Sequence, residues 1–476
     1  MEKKIKILTV ALLAFLSPSC SDFLQVETTG KVTIPSLFSD MDGMNAAVAG
    51  MYSKTYNYYC SEFYEYPEVA GNMVDLKSVT SVPAMIYQYN FTSDPEQETL
   101  AVGYIWKKIY IALTNANNII QYQPYLLSTY PNSAADLKLI KAQALFVRAL
   151  CHFDLCRTYA QPYGYTADAS HLGVPILRQT PGPDDNVSRA TVKQVYDFIK
   201  EDLLEAETLF GTTAMVDAYH VSKKAVQALL CRVYLYSGDW ENAAKYASLV
   251  IDNSQLAYGE DYLSMYNGMV AGKEAIFRIN GTKKPKTLGQ FYAPSNPIAI
   301  AADTLISLYD NPNDIRLNLF KPLTENVKKY ATLKYYISVP KDDNTERYDP
   351  MVLRVSEMYL NRAEAYLKLN QPEKALDDLK AIIARALKKT VGEIEINTSD
   401  KTEIASLIDK ERARELCFEG HNFFDITRRG KDLVRATGSY SEVKYIGYPS
   451  DYFVLPIPQT ELDANPNMVG NPTINK

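Results

Sequence analysis

The segment 411–430, ERARELCFEGHNFFDITRRG, sets Glu411, Glu415, Glu419, His421 and Asp425 among Arg412, Arg414, Arg428 and Arg429. Carboxylates beside a histidine and arginines are the components of general acid–base chemistry. Glycoside hydrolysis, for instance, needs two carboxyl groups facing each other across a cleft at a set separation. The spacing here supplies something different. Glu411, Glu415 and Glu419 recur every fourth residue, which puts them on one stripe of one helix, with Arg412 and Arg414 a turn from acidic partners. Such ladders read as a salt-bridged helix face. Taken as a helix ending near Gly420, the segment turns Leu416, Phe423 and Phe424 toward a core and leaves His421 as a capping or core hydrogen-bonding residue. It nominates no catalytic residue.

No other motif carries a reaction. GxSxG, phosphate-loop, HExxH and dinucleotide signatures are missing from any meaningful context. Four histidines in 476 residues argue against a histidine-based metal site. No Cys/His cluster has zinc spacing, and the acidic loops lack a calcium-loop pattern. The reading is therefore of a non-enzyme without metal or cofactor. With a net charge of −6 and no basic stripe, nucleic acid is an unsuitable partner.

Tyrosine is the compositional outlier: 36 Tyr against 16 Phe and 2 Trp. The stretch MYSKTYNYYCSEFYEY, residues 51–66, holds six of them. Tyr52 and Tyr56 lie one helical turn apart and read as core. Tyr64 and Tyr66 stand ahead of PEVAGNMVDLK, close to Asn72 and Asp75. An aromatic face covers the C–H face of a pyranose, while amide and carboxylate oxygens take its hydroxyls. These four residues form a candidate sugar platform; the competing reading packs the tyrosines against the helices. Trp106 and Trp240 occupy helical positions and read as core.

The start, MEKKIKILTVALLAFLSPSC, has Lys3, Lys4 and Lys6, an apolar run from Ile7 to Leu16, and small residues leading to Cys20. This is a secretory signal of bacterial lipoprotein type, residues 1–19, with Cys20 as the acylated residue; the alternative is an ordinary signal cleaved nearby. The apolar run is too short for a comfortable span. Cys60, Cys151, Cys156, Cys231 and Cys417 are odd in number and sit in apolar helical patterns, so they read as buried free thiols.

The elements that must position such residues are mainly helical. Periodicity marks a helix from about Asp40, helices at about 99–122 and 133–159, and another starting at Thr191 after a Gly/Pro loop over 161–189. Two segments resemble each other. AVQALLCRVYLYSGDWENAAKYASLVID has Tyr234, a turn at Gly238-Asp239, and Ala243 nine residues after the tyrosine. MYLNRAEAYLKLNQPEKALDDLKAIIAR has Tyr366, a turn at Asn370-Gln371, and Ala375 at the same offset. Small residues at a helix crossing with this spacing read as tetratricopeptide-type hairpins. Four can be drawn, over about 103–160, 192–237, 222–252 and 354–386. The helical body covers about 99–252 and 352–436. Residues 56–95 and 255–350 read as loop-rich, with EAIFRING and ATLKYYISVP as short strands, and the tail 440–476 is aperiodic.

In this order the pieces resemble the SusD/RagB-type outer-membrane lipoproteins of the Bacteroidetes. The resemblance rests on CSDFLQVETTG, GYIWKKIYIALTNANNII, the block LKLIKAQALFVRALCHFDLCRTYAQPYG followed by GVPIL, MYLNRAEAYLKLN, ERARELCFEGHNFFDITRRG and YFVLPIPQTELDANPNMVGNP. It implies one SusD-like domain over 20–476, non-catalytic, anchored by Cys20 in outer-membrane lipid and facing the extracellular side. It also implies capture of an oligosaccharide and its delivery to a SusC-type TonB-dependent transporter. A peptide ligand, as in RagB-like branches, is the alternative, and a secreted glycoside hydrolase is the least favoured. Ligand contacts in the family come from loops that map here onto about 60–95 and 280–300. That adds Phe291 and Tyr292 to Tyr64, Tyr66, Asn72 and Asp75 as expected ligand-binding residues.

Overall fold

Helical periodicity becomes helix almost wherever it runs for three turns or more. The computed structural model of the chain describes residues 33–77, 84–213, 217–266, 272–281, 287–324, 327–336 and 349–472; the signal segment and Cys20 lie outside these. The helix begun at Asp40 is preceded by a short turn of helix, α1 (Ile34–Leu37), and runs as α2 (Met41–Tyr59), its N-terminus capped by the Asp40 carboxylate 2.8 Å from the Gly43 N–H. After α3 (Glu62–Val69), strand β1 (Val74–Leu76) and α4 (Ile86–Tyr89) come the long helices α5 (Ala101–Thr129) and α6 (Ala134–Tyr159). Thr191 opens α7 (Val192–Phe210) through a reciprocal capping box with Gln194. Helices α8 (Lys223–Ser237) and α9 (Trp240–Ile251) complete the first helical block.

The mid-chain insertion carries α10 (Glu260–Ser264), β2 (Ala275–Arg278), α11 (Thr287–Phe291), β3 (Ala299–Ala301), α12 (Asp303–Ile306), β4 (Phe320–Thr324) and β5 (Val327–Thr332). Strand β6 (Met351–Arg354) leads into α13 (Val355–Lys368), α14 (Pro372–Leu387), α15 (Lys401–Leu416) and α16 (Asn422–Arg428); β7 (Leu433–Val434), β8 (Tyr445–Ile446) and α17 (Gln459–Ala464) follow. The described strands pair only in twos, antiparallel: β1 with β3, β2 with β6, β4 with β5 and β7 with β8. EAIFRING is thus a strand, whereas only Ala331 and Thr332 of ATLKYYISVP are, and its last four residues lie outside the described ones.

The four hairpins are present. Helix α5 packs on α6, α7 on α8, α8 on α9, and α13 on α14, and α9 joins the two blocks by packing on α13. The two look-alike segments share their turn geometry. Gly238 and Asn370 both have left-handed backbone, with φ of 74° and 60°. The Asp239 N–H donates to the Tyr234 carbonyl (3.0 Å) and the Gln371 N–H to the Tyr366 carbonyl (2.8 Å). Gly and Asn are the residues that enter this region at least cost, and such 6→1 bonds satisfy carbonyls left open at a helix end. Ala243 and Ala375 are buried at the crossings. One large core runs through both blocks, and a satellite cluster of Ala363, Leu367, Ala375, Leu379, Ile404 and Ile408 ties α13, α14 and α15 together. The five described cysteines are buried thiols that form no disulfide with one another.

Two expectations need correction. Residues 62–69 are helix, not loop, and all of Phe63 to Val69 is buried; Pro67 sits near the end of α3, where its missing N–H costs one bond and the helix stops two residues later. The acidic stripe of 411–430 is salt-bridged, but Glu411, Glu415 and Glu419 are buried and most of their cationic partners come from other elements rather than from Arg412 and Arg414. Glu415 takes Arg354 and Arg385 at 2.6 Å each and Arg316 at 3.0 Å. Glu419 takes Arg354 at 2.7 Å and Lys334 at 2.5 Å, and Glu411 takes Arg316 at 2.7 Å. Burial by itself would raise the Glu415 pKa; the three guanidiniums overcome it and hold the carboxyl well below its usual range. The helix also ends earlier than Gly420, at Leu416. The turn that follows is gathered around the Glu68 carboxylate, which accepts N–H bonds from Phe418, Gly420 and His421 at 2.9 Å each. Burial raises the Glu68 pKa, with those donors opposing the rise.

Candidate functional site

The turn at Glu68 fixes where α16 begins, and α16 carries Phe423 and Phe424. Phe423 meets Tyr66 edge-on at 5.7 Å, Phe91 at 5.8 Å and Phe453 at 5.6 Å. This aromatic layer underlies an open groove of about 770 Å³ between two irregular segments, 88–95 and 442–456. The volume suits a ligand of several sugar rings or a short peptide.

Phe91 is the wall from the first segment. Its backbone is left-handed, with φ of 55°, a region in which a bulky residue persists only when its surroundings impose it. The surroundings are visible. The Asn90 amide oxygen accepts from the Ser441 hydroxyl and the Glu442 N–H, both at 3.1 Å. Beneath the ring lies Arg435, its guanidinium carbon 5.3 Å from the Phe91 centroid and 4.7 Å from that of Tyr89. Arg435 donates to the carbonyls of Val69, Ala70, Gly71 and Tyr89 at 2.6–3.0 Å, and to the Ser441 hydroxyl. Burial pulls its pKa down to about 10. One arginine therefore binds the end of α3, the end of α4 and the 441–443 segment into a single wall.

Tyr445 and Tyr452 are the exposed aromatic faces of the second segment, 60% and 38% accessible. The Tyr445 hydroxyl donates to Asp432 at 2.9 Å, and Tyr452 packs edge-on to Phe91 at 6.3 Å. Glu442 and Asp451 are exposed at the rim, and their carboxylates have no hydrogen-bond or ion-pair partner among the described residues. Such an arrangement offers ring faces for stacking and free acceptors for hydroxyl or amine donors. Among the described residues no group of three His, Cys, Asp or Glu is placed to hold a metal ion.

The sequence-derived platform does not assemble. Tyr64 is core, its hydroxyl on the Met351 carbonyl at 3.0 Å. Asp75 is buried and accepts from the Tyr89 hydroxyl (2.5 Å) and the Ser439 hydroxyl (2.6 Å), so it braces the groove wall from behind. Phe291 and Tyr292 are buried, Tyr292 stacked on Tyr335 at 5.1 Å. Asn72 gives its backbone N–H to Asn422 and its amide nitrogen to the Val434 carbonyl, while its amide oxygen is buried with no hydrogen-bond partner among the described residues. It borders a separate depression of about 170 Å³. Only Tyr66 lines the groove, as floor. Trp106 is buried and Trp240 is packed against the core, in accord with the sequence reading. Phe91, Tyr445, Tyr452, Glu442 and Asp451 line the groove and were not nominated by that reading. The signal was present in GSYSEVKYIGYPSDYF, which mixes aromatics, carboxylates and turn residues as 51–66 does but lacks the helical spacing that drew those tyrosines into the core.

Two family models match the chain and together cover more than half of it. One, described as "Starch-binding associating with outer membrane", matches residues 22–235; the other, described as "SusD family", matches residues 321–473. SusD-like protein P2 of Formosa agariphila is 25% identical, with 98% of this chain and 99% of that protein covered. SusD-like protein P38 of the same organism is 22% identical over the same shares. Among solved structures, a SusD superfamily protein from Bacteroides thetaiotaomicron superposes with a TM-score of 0.82 at 26% identity, covering 91% of this chain and all of that one. A SusD superfamily protein from Bacteroides vulgatus gives 0.78 at 26% identity, covering 92% and 100%. The groove described above is thus carried on a fold common to these proteins, and the chain belongs to the SusD/RagB family.

Proposed function

We propose that this chain is a carbohydrate-binding protein of the outer membrane that captures an oligosaccharide in the groove between 88–95 and 442–456. The observation that carries the reading is the exposed faces of Tyr445 and Tyr452 beside the carboxylates of Glu442 and Asp451, which have no partner among the described residues. Stacking faces with free acceptors around them suit a polyhydroxylated ring. The description of the amino-terminal family model, starch binding in association with the outer membrane, supports the same reading.

In the full reading Cys20 is acylated and holds the protein on the extracellular side, and the captured sugar passes to a SusC-type TonB-dependent transporter. No helix among the described residues is long and apolar enough to cross a membrane. In this reading the role is binding without turnover, supported by the burial of the acidic residues of 411–430 against arginines in the interior.

A glycan array followed by titration calorimetry tests this. At least one oligosaccharide is expected to bind saturably with no release of reducing sugar on long incubation, and Tyr445→Ala is expected to weaken it several-fold. Sustained hydrolysis would replace the reading with an enzyme. Binding of oligopeptides and of no glycan would replace it with the peptide-uptake alternative.

A further inference from the structure

The charges around the groove bear on which glycans enter it. Its lining includes three carboxylates, Asp94, Glu442 and Asp451, and among the described lining residues there is no Lys, Arg or His. A fourth carboxylate, Asp432, stands behind the Tyr445 hydroxyl at 2.9 Å. The cations nearest along the chain do not offset them at the surface. Arg435 is buried under Phe91 with its N–H groups committed to backbone carbonyls and the Ser441 hydroxyl. The Lys444 ammonium is turned onto the carbonyls of Ser439 and Ser441.

Carboxylates accept and do not donate. A sugar hydroxyl gives them a charge-assisted hydrogen bond. A uronate or a sulphate ester brings only further acceptors and a like charge, and juxtaposed like charges act as a specificity filter at a recognition surface. Resting on the carbohydrate-binding reading above, we infer that the groove selects uncharged oligosaccharides and rejects uronate-containing and sulphated ones. The aromatic faces of Phe91, Tyr445 and Tyr452 supply attraction common to all pyranoses, and the carboxylates supply the discrimination.

The experiment uses the purified chain and an array in three arms: neutral gluco-, xylo-, manno- and galacto-oligosaccharides; oligogalacturonides and oligomannuronates; and sulphated galactan oligosaccharides. Hits are expected only in the neutral arm, with any acidic member at least about tenfold weaker. Their affinity should change less than about twofold between low and high salt, since no ion pair forms. The double variant Glu442→Gln, Asp451→Asn should retain the fold and narrow the gap between the arms. Tyr452→Ala separates the possible failures. An acidic glycan bound as tightly as any neutral one, with binding lost in Tyr452→Ala, overturns the charge selection and leaves the groove reading standing. Glycan binding indifferent to Tyr452→Ala, or no member of any arm bound, overturns the groove reading and the inference with it.

Discussion

Glu415 shows how the residue types of an active site become structure. Three guanidiniums converge on one buried carboxylate, so removing it strands several buried charges at once. Glu415→Ala should lower unfolding stability by about 3–5 kcal/mol, a typical loss when one partner of a buried pair is removed; denaturant midpoints within error of the parent would contradict the account. The histidines give a second residue-scale prediction. His152 lies between the Arg148 carbonyl (2.9 Å) and the Leu177 N–H (3.1 Å), a bridge that fits the neutral ring. Burial lowers the pKa of His152 and of His421 to about 3 each. An unfolded imidazole titrates near 6.5, so below that pH the unfolded chain takes up protons the folded chain refuses. Stability should therefore fall as pH drops from about 6.5 toward 3, by up to about 1.4 kcal/mol per unit for each ring. Glu357 acts in the same direction over a lower window: burial pushes it up, but Arg232 at 2.6 Å brings it to about 2, so its contribution is lost as pH falls below about 4.5. Urea midpoints at pH 7, 6 and 5 for the parent and for His152→Gln check this, since buried carboxyls with raised pKa such as Asp202, at about 6, act in the opposite direction in both; a difference between the two proteins that does not change from pH 7 to 5 would sink it. The types and spacing at 411–430 announced charge pairing. They could not announce burial, because the partners Arg316, Arg354 and Arg385 come from other elements.

At the scale of elements, the hairpins were legible because their information is local. A Tyr, a left-handed turn residue and a small residue at fixed offsets determine a helix end and a close crossing, and both copies, at Tyr234 and Tyr366, keep the geometry. Gly238→Ala should cost about 1 kcal/mol, since the φ of 74° penalises a Cβ. Asn370→Gly, at the matching turn, should be neutral within a few tenths of that. A thermal or urea melt of the two variants decides it, and an unaffected Gly238→Ala protein would refute the strained-turn account. Helix α3 was not legible. SEFYEYPEV has tyrosines, acids and a proline, a composition that reads as loop, yet Phe63 and Tyr64 pack inward on aromatic neighbours. Glu68 then receives the 418–421 turn. Tertiary contact overrode local preference there, and it removed the proposed platform from the surface.

The groove belongs to the whole molecule. Its walls come from residues 88–95 and 442–456, more than 340 positions apart, and they are joined by Arg435 and by the Asn90 contacts with Ser441 and Glu442. The family signature at 411–430 takes part only indirectly: its ion pairs and the Glu68 turn place α16, whose Phe423 supports Tyr66 and Phe91. No window of sequence contains this arrangement. Composition pointed to tyrosine beside carboxylate in a broken segment at 64–75, whereas the structure exposes that combination at 442–452. The claim on which the account turns is that ligand rests on the aromatic faces of this groove. Its most direct test is the dissociation constant of an array-identified neutral oligosaccharide for the parent protein and for Tyr452→Ala at equal thermal stability. The account predicts weakening of about tenfold, roughly the 1.4 kcal/mol that one stacked ring contributes. An unchanged dissociation constant would place the ligand elsewhere and contradict it.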